Sequence, residues 1–474
     1  MIEKYYDGAI EQVAAGLGTV EKNHLLVRYS GQFSVENLND TKQLEKNEDI
    51  FVQVHEFETG EITCAYEPYL TMICDGFRRY MTGTFEEFME TCDVYYLHRP
   101  VLLGYFNQDN TGREEIILLD EVAYEQERML AALERMLCAI ADRHPVLFVL
   151  NRFQLASKST MQLTARFLKC ENCNIGLVLG VSDIQAMPEF LVPDWEMLYE
   201  TLDDGSKIYH IGNSGRKKEE TIDDEKYVDY GSEKVYRKLQ NMVEFLDFDQ
   251  AAYYLETIER KIKFDNLLVD DAARFRMWLL FVKVSILRQD IPKALEICED
   301  LEKIHLAGKE EECAYEQDYL IATAYMYQGK LKEALEMAGE TYRIAGKMSD
   351  DYRMFLSELL EAKIQMSGWY NIFFCAQDVK IKESLIQNLI RYNYRNHLAH
   401  VYIYAYDNKP EIVKKANQSE ELLIYFSRGI RIAKKLGNEY LINMAYQKNI
   451  MLSSTNGMYA VSYTHLRAHE TEAD

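Results

Sequence analysis

No stretch of this 474-residue chain approaches the ~20 consecutive apolar residues that a membrane-spanning helix needs. The N-terminus, Met1-Ile-Glu-Lys-Tyr-Tyr-Asp7, lacks the basic-then-apolar pattern of a secretory leader. Nine cysteines stand at 64, 74, 92, 138, 170, 173, 298, 313 and 375, an odd number without framework spacing. The expectation is therefore reduced thiols, no membrane span and a cytoplasmic chain. Positive charge is also short: 53 Lys and Arg face 77 Asp and Glu, for a net charge of −24. Phosphate would be repelled, which argues against nucleic-acid binding by the chain as a whole. Residues 391–460 reverse the balance, with ten basic and five acidic residues. A solvated basic helix face is the first reading there, and a contact surface for an acidic partner the second.

The length suits two or three domains. Apolar runs bounded by turn residues recur at Leu25–Tyr29, Ile50–Val54, Val146–Leu150, Ile175–Leu179 and Lys207–Ile211. Several are apolar almost throughout, as strands covered on both faces of a parallel sheet are. Helical periodicity fills the gaps over 68–80, 85–92 and 121–142, where Leu130, Leu133, Leu137 and Ile140 share a face. Alternating strands and helices predict an α/β layered domain over residues 1–213.

Three segments carry a resemblance. Ala65-Tyr-Glu-Pro-Tyr-Leu-Thr-Met-Ile73 resembles the PYxPL helix after strand two in the signal-transducing ATPases of the STAND branch of the AAA superfamily. Pro145 to Leu163 is similar to the strand-and-helix segment that carries their second catalytic motif, and Ile175 to Asp183 to their sensor-bearing strand. The resemblance implies a parallel-sheet, P-loop-ATPase-like domain. The departures imply a silent one. Family members follow strand one with G-x-x-x-x-G-K-[ST], whose amides and lysine cradle phosphates. Here the corresponding segment runs from Ser30 and Gly31 through Ser34 to Asp40, with no lysine and with Glu36 and Asp40 where phosphate charge would sit. No Gly-Lys-Ser/Thr occurs anywhere; the Gly-Lys pairs at 308, 329 and 346 precede Glu, Leu and Met. Strand three ends in Asn151 and Arg152 rather than an acid that could hold Mg²⁺. No catalytic residue, cofactor or metal ligand set is therefore expected.

Other candidates are weak in sequence. Cys170-Glu-Asn-Cys173 is a lone CxxC; zinc would need further ligands, and a redox role would need the motif to open a helix. His55, His98 and His144 stand singly, and Asp203-Asp204 and Asp223-Asp224 lie in polar loops.

Residues 214–233, rich in charge, Gly and Ser, read as a linker. Strand patterns then vanish, and helical periodicity runs over 234–460. Ala322, Tyr325, Gly329, Leu331, Ala334 and Ala338 resemble a tetratricopeptide (TPR) signature, with Ala294 and Gly368 at equivalent places and a beat near forty residues. The expected second domain is a TPR-like α-solenoid whose concave groove takes a protein or peptide partner. Residues 461–474 resemble a translated sequencing adapter and are set aside as an artefactual tail. The overall expectation is α/β then all-α: the non-catalytic sensory and docking region of a bacterial signalling regulator. By resemblance, its output domain beyond residue 460 would be a GGDEF diguanylate cyclase. A LuxR-type regulator fragment and a free-standing scaffold are the alternatives.

Overall fold

The computed structural model of the chain describes residues 2–17, 24–29, 33–35, 38, 42–43, 49–58, 61–109, 115–116, 121–170, 173–182, 187–203, 207–211, 229–265, 267–366, 383–407 and 416–455. Five strands form where the apolar runs predict them: β1 (Leu25–Tyr29), β2 (Phe51–Glu56), β3 (Val146–Asn151), β4 (Ile175–Ser182) and β5 (Lys207–Ile211). They make one sheet in the order β2-β3-β4-β1-β5, parallel throughout. The central strands β3 and β4 are buried at every position. Their unbroken apolar sequence follows from having cover on both faces.

Helices in this part are α1 (Ile2–Gly16), α2 (Tyr69–Tyr80), α3 (Phe85–Thr91), α4 (Arg99–Asn107), α5 (Val122–Ala141), α6 (Lys158–Lys169) and α7 (Val192–Asp203). The polar N-terminus conceals an amphipathic stripe. Tyr6, Ala9, Ile10 and Val13 of α1 pack on Leu25, Val27, Leu147, Val149 and Val178. On the other face, the Tyr69 ring of α2 meets Phe148 and Phe167 edge-on at 4.8 and 5.4 Å.

The helices that follow are α8 (Glu233–Glu244), α9 (Phe248–Phe264), α10 (Asp271–Leu287), α11 (Ile291–Leu301), α12 (Glu310–Gln328), α13 (Leu331–Lys347), α14 (Asp351–Met366), α15 (Glu383–Arg391), α16 (Arg395–Asp407), α17 (Ala416–Leu436) and α18 (Glu439–Thr455). One turn chemistry recurs between them. Leu246, Gln289, Gly329, Ser349, Asn393 and Gly437 all take positive φ, from 56° to 82°. The next amide in each case bonds the carbonyl five residues back, as in Asp290 N to Ser285 O and Asn438 N to Ala433 O. That bond closes the left-handed helix cap. Asp247, Asp290, Asp350 and Asn438 then cap the following helix by accepting an amide three residues on. The expected turn at Gly329, φ +82°, is the position where glycine removes the steric cost outright.

The chain divides into two compact units: Met1–Gly112 with Glu125–Val284, and Arg113–Tyr124 with Ser285–Asp474. This differs from the boundaries read at 213 and 234. Helices α8, α9 and most of α10 belong with the sheet, and residues 113–124 belong with the later helices. Polar anchoring holds α8 and α9 to the first unit. Asp247 Oδ2 accepts the Ser159 amide at the start of α6, and Lys158 pairs with Asp249. Lys238 bonds Glu61, and the Thr63 amide donates to Tyr254 OH. Most of the linker, residues 212–228, lies outside the described residues, as do Gly368 and the tail 461–474.

Candidate functional site

The carboxyl edge of the sheet is where a ligand belongs. From β1 the chain continues on the α1 side, where Val35 and Leu38 join the core. The β3–β4 connector α6 lies on the opposite face, and α7, which follows β4, packs against it. Connections from the neighbouring strands β1 and β4 therefore diverge. Open parallel sheets take ligands in the crevice at such a switch point.

Among the described residues, the side chains at this edge bond one another and the segment after β1. The fully buried Asn151 ends β3. Its Oδ1 accepts from Tyr29 OH at 2.6 Å, and its Nδ2 donates to the Phe33 carbonyl at 3.0 Å. Burial first, and Glu56 further, push the Tyr29 phenol up to about 12 against a lowering by Arg152, so it stays protonated and donates. Glu56, the last residue of β2, accepts Ser34 Oγ at 2.8 Å and the Val35 amide at 3.2 Å. Its other oxygen pairs with Arg152 at 3.2 Å. The carboxylate thus takes the hydroxyl and amide donors of the segment after β1, the donor types a phosphate would take. Hydrogen bonds to a charged group contribute about 1.5–3 kcal/mol each. Gln154 adds a further tie: its amide pairs with both the carbonyl and the N–H of Ser182, at 3.1 and 3.3 Å.

The sequence-predicted positions are thus partly assembled. Ser34, Asn151 and Arg152 converge on this edge, while Ser30, Gly31, Glu36 and Asp40 fall outside the described residues. Sequence reasoning missed Glu56, Tyr6, Phe33 and Gln154. An acid ending the second strand was the available signal for Glu56. Asn151 acquires a reason to be an amide, because an aspartate could not donate to the Phe33 carbonyl.

In the second unit, Ala322, Leu331, Ala334 and Ala338 share one buried cluster with Leu360 and Ile364, and Tyr325 packs against it. Ala294 is fully buried in α11. Small residues let α12 and α13 approach closely on either side of the Gly329 turn. The sequence did not announce the 113–124 segment. Glu115 Oε1 accepts the His397 amide and His397 Nδ1, each at 2.6 Å, and Oε2 accepts the Asn396 amide at 3.2 Å. Burial first, and Lys363 second, hold the His397 ring well below its usual range, so the neutral ring donates from Nδ1. Glu121 accepts from Asn396 at 3.0 Å and from Asn438 at 3.0 and 3.1 Å. Asn396 and Asn438 are 42 residues apart and bond each other at 2.6 Å. Two buried carboxylates therefore sit at the N-termini of α16 and α18, where the helix dipoles favour negative charge.

Acidic crowding elsewhere in these helices makes stability depend on pH. Asp318 is raised to about 6, first by burial and then by Glu340 and Glu302. Between its ordinary value and about 6 the folded chain keeps a proton that the unfolded chain has lost, so stability falls as pH rises through that window. Asp318→Asn is expected to gain about 1 kcal/mol above it, after discounting for solvent screening, and nothing near pH 4. Unfolding midpoints at pH 4 and 7.5 read the difference directly; equal gains at both would contradict the assignment.

The chain matches no protein-family model and no curated protein sequence. Among the described residues no helix is long and apolar enough to cross a membrane.

Proposed function

We propose that the first unit is a catalytically silent relative of the P-loop ATPases, and that the later helices are a TPR-like docking array for a protein or peptide partner. Together they form the sensory and docking region of a cytoplasmic signalling regulator. A GGDEF diguanylate cyclase beyond residue 460 is the output domain that the resemblance favours.

One observation supports the silent reading: Glu56 accepts the Ser34 hydroxyl and the Val35 amide, and Asn151 donates to the Phe33 carbonyl, so donors of the segment after β1 are bonded within the protein. A triphosphate entering there would find these donors already taken by a carboxylate that Arg152 pairs, with no lysine between residues 30 and 40. Two features support docking in the array. Small residues bring its helix pairs close, and its helix N-termini hold buried carboxylates from elsewhere in the chain. An acidic peptide is the partner chemistry that this reading favours.

Calorimetric titration of the full chain with ATP and Mg²⁺ tests the first half. The expected result is no binding heat at millimolar nucleotide and no phosphate release. Saturable heat of one equivalent that disappears in Ser34→Ala would overturn the reading.

A further inference from the structure

Three thiols that are scattered in sequence meet at the amino edge of the sheet. Cys138 lies in the last turns of α5, Cys170 caps the C-terminus of α6, and Cys173 stands two residues before β4. Their sulfur atoms all lie within 4.8 Å of one another. Cys138 Sγ and Cys170 Sγ are 4.0 Å apart. The lone CxxC thus gains a third ligand from a helix that ends 29 residues before it, which the sequence reading had no means to supply.

The spacing discriminates between thiol chemistries. Two thiolates on one zinc ion, each about 2.3 Å from the metal with tetrahedral angles, lie about 3.8 Å apart. A disulfide brings two sulfurs to about 2.05 Å and leaves a third without a role. The motif also precedes β4 rather than opening a helix, which removes the setting of a thioredoxin-type pair. Cys173 is almost fully buried, while Cys138 and Cys170 are partly exposed, so the cluster is closed on the protein side and open toward solvent. A dication of this class binds such a cluster as thiolates and releases their protons.

We propose that Cys138, Cys170 and Cys173 form a binding site for a thiophilic divalent cation of the zinc class, to which they supply three ligands. The bound ion would clasp the end of α5 to the end of α6 and the start of β4. This site is separate from the carboxyl-edge crevice, and its test does not depend on nucleotide binding.

The experiment is titration of the reduced full-length chain with Co²⁺, followed by displacement with Zn²⁺. The expected result is an intense thiolate-to-cobalt charge-transfer absorbance that saturates at one equivalent and is abolished by Zn²⁺. The unfolding midpoint should rise by about 3–5 °C with Zn²⁺. Cys138→Ser and Cys170→Ser should each weaken binding at least tenfold, whereas Cys298→Ser, remote in sequence, should leave it unchanged. Absence of the charge-transfer band in the unmutated chain overturns the proposal, and that measurement needs no variant to fold. So does a Cys138–Cys170 disulfide, read by mass as the loss of two hydrogens, in chain that takes up no metal.

Discussion

Gly180→Ala is expected to destabilise the first unit by about 3 kcal/mol or more. Gly180 lies in β4, whose eight residues are all buried. A Cβ there would overlap the Tyr6 hydroxyl and stand 2.6 Å from Asn151 Oδ1. Neither neighbour can withdraw cheaply. Asn151 is held by Tyr29 and the Phe33 carbonyl, and Tyr6 is fully buried in the α1 cluster. Tyr6 also provides the rescue. Its hydroxyl has no hydrogen-bond partner among the described residues, so burying it already costs stability. Tyr6→Phe alone should be neutral or stabilising by about 1 kcal/mol. In the Gly180→Ala background it should recover about 1–2 kcal/mol, because it removes one of the two clashes. A double-mutant cycle by denaturant unfolding measures this coupling. Additive effects would mean that α1 does not pack over β4 in this register.

Glu115→Ala strips an acceptor from two backbone amides and the His397 ring at once, all of them buried. Leaving those donors unsatisfied should cost about 3–5 kcal/mol in the second unit. Glu121→Ala removes the acceptor shared by Asn396 and Asn438 and should add to the loss, less than additively because the two networks meet at Asn396. Released from the carboxylates, the amides of Asn396 and His397 should exchange with solvent hydrogen at least tenfold faster than in the unmutated chain. A synthetic peptide of residues 113–124 should then bind the doubly substituted chain and not the parent. Unchanged exchange in the double variant would show that the carboxylates do not hold these amides.

Much of the architecture was legible because it is recorded locally. Val146–Leu150 and Ile175–Leu179 are apolar at nearly every position, and both are central strands. Ala334 and Gly329 mark a close helix pair because small size and left-handed backbone are properties of single residues. The α1 stripe was legible in principle: Tyr6, Ile10 and Val13 have helical spacing, but they stand among the charges of the first turns. The division into units differs from the boundary read after the sheet for another reason. Helices α8 and α9 carry the same turn chemistry as the later array, so periodicity could not show that Asp247 and Lys238 fasten them to the first unit.

By itself, then, the sequence determined the five strands, the succession of helices with their recurrent caps, and the lack of any lysine-bearing phosphate loop. Each of these is written in spacing and residue type within a few turns of chain. Only the tertiary structure decided that Glu56 bonds the segment after β1, that Glu115 and Glu121 bond the distant residues Asn396, His397 and Asn438, and that Cys138 joins Cys170 and Cys173. Those partners lie between 21 and 317 residues apart along the chain. Hydrogen bonds and thiol contacts act over a few ångströms, so until the chain has folded nothing in the sequence brings such groups within one another's reach.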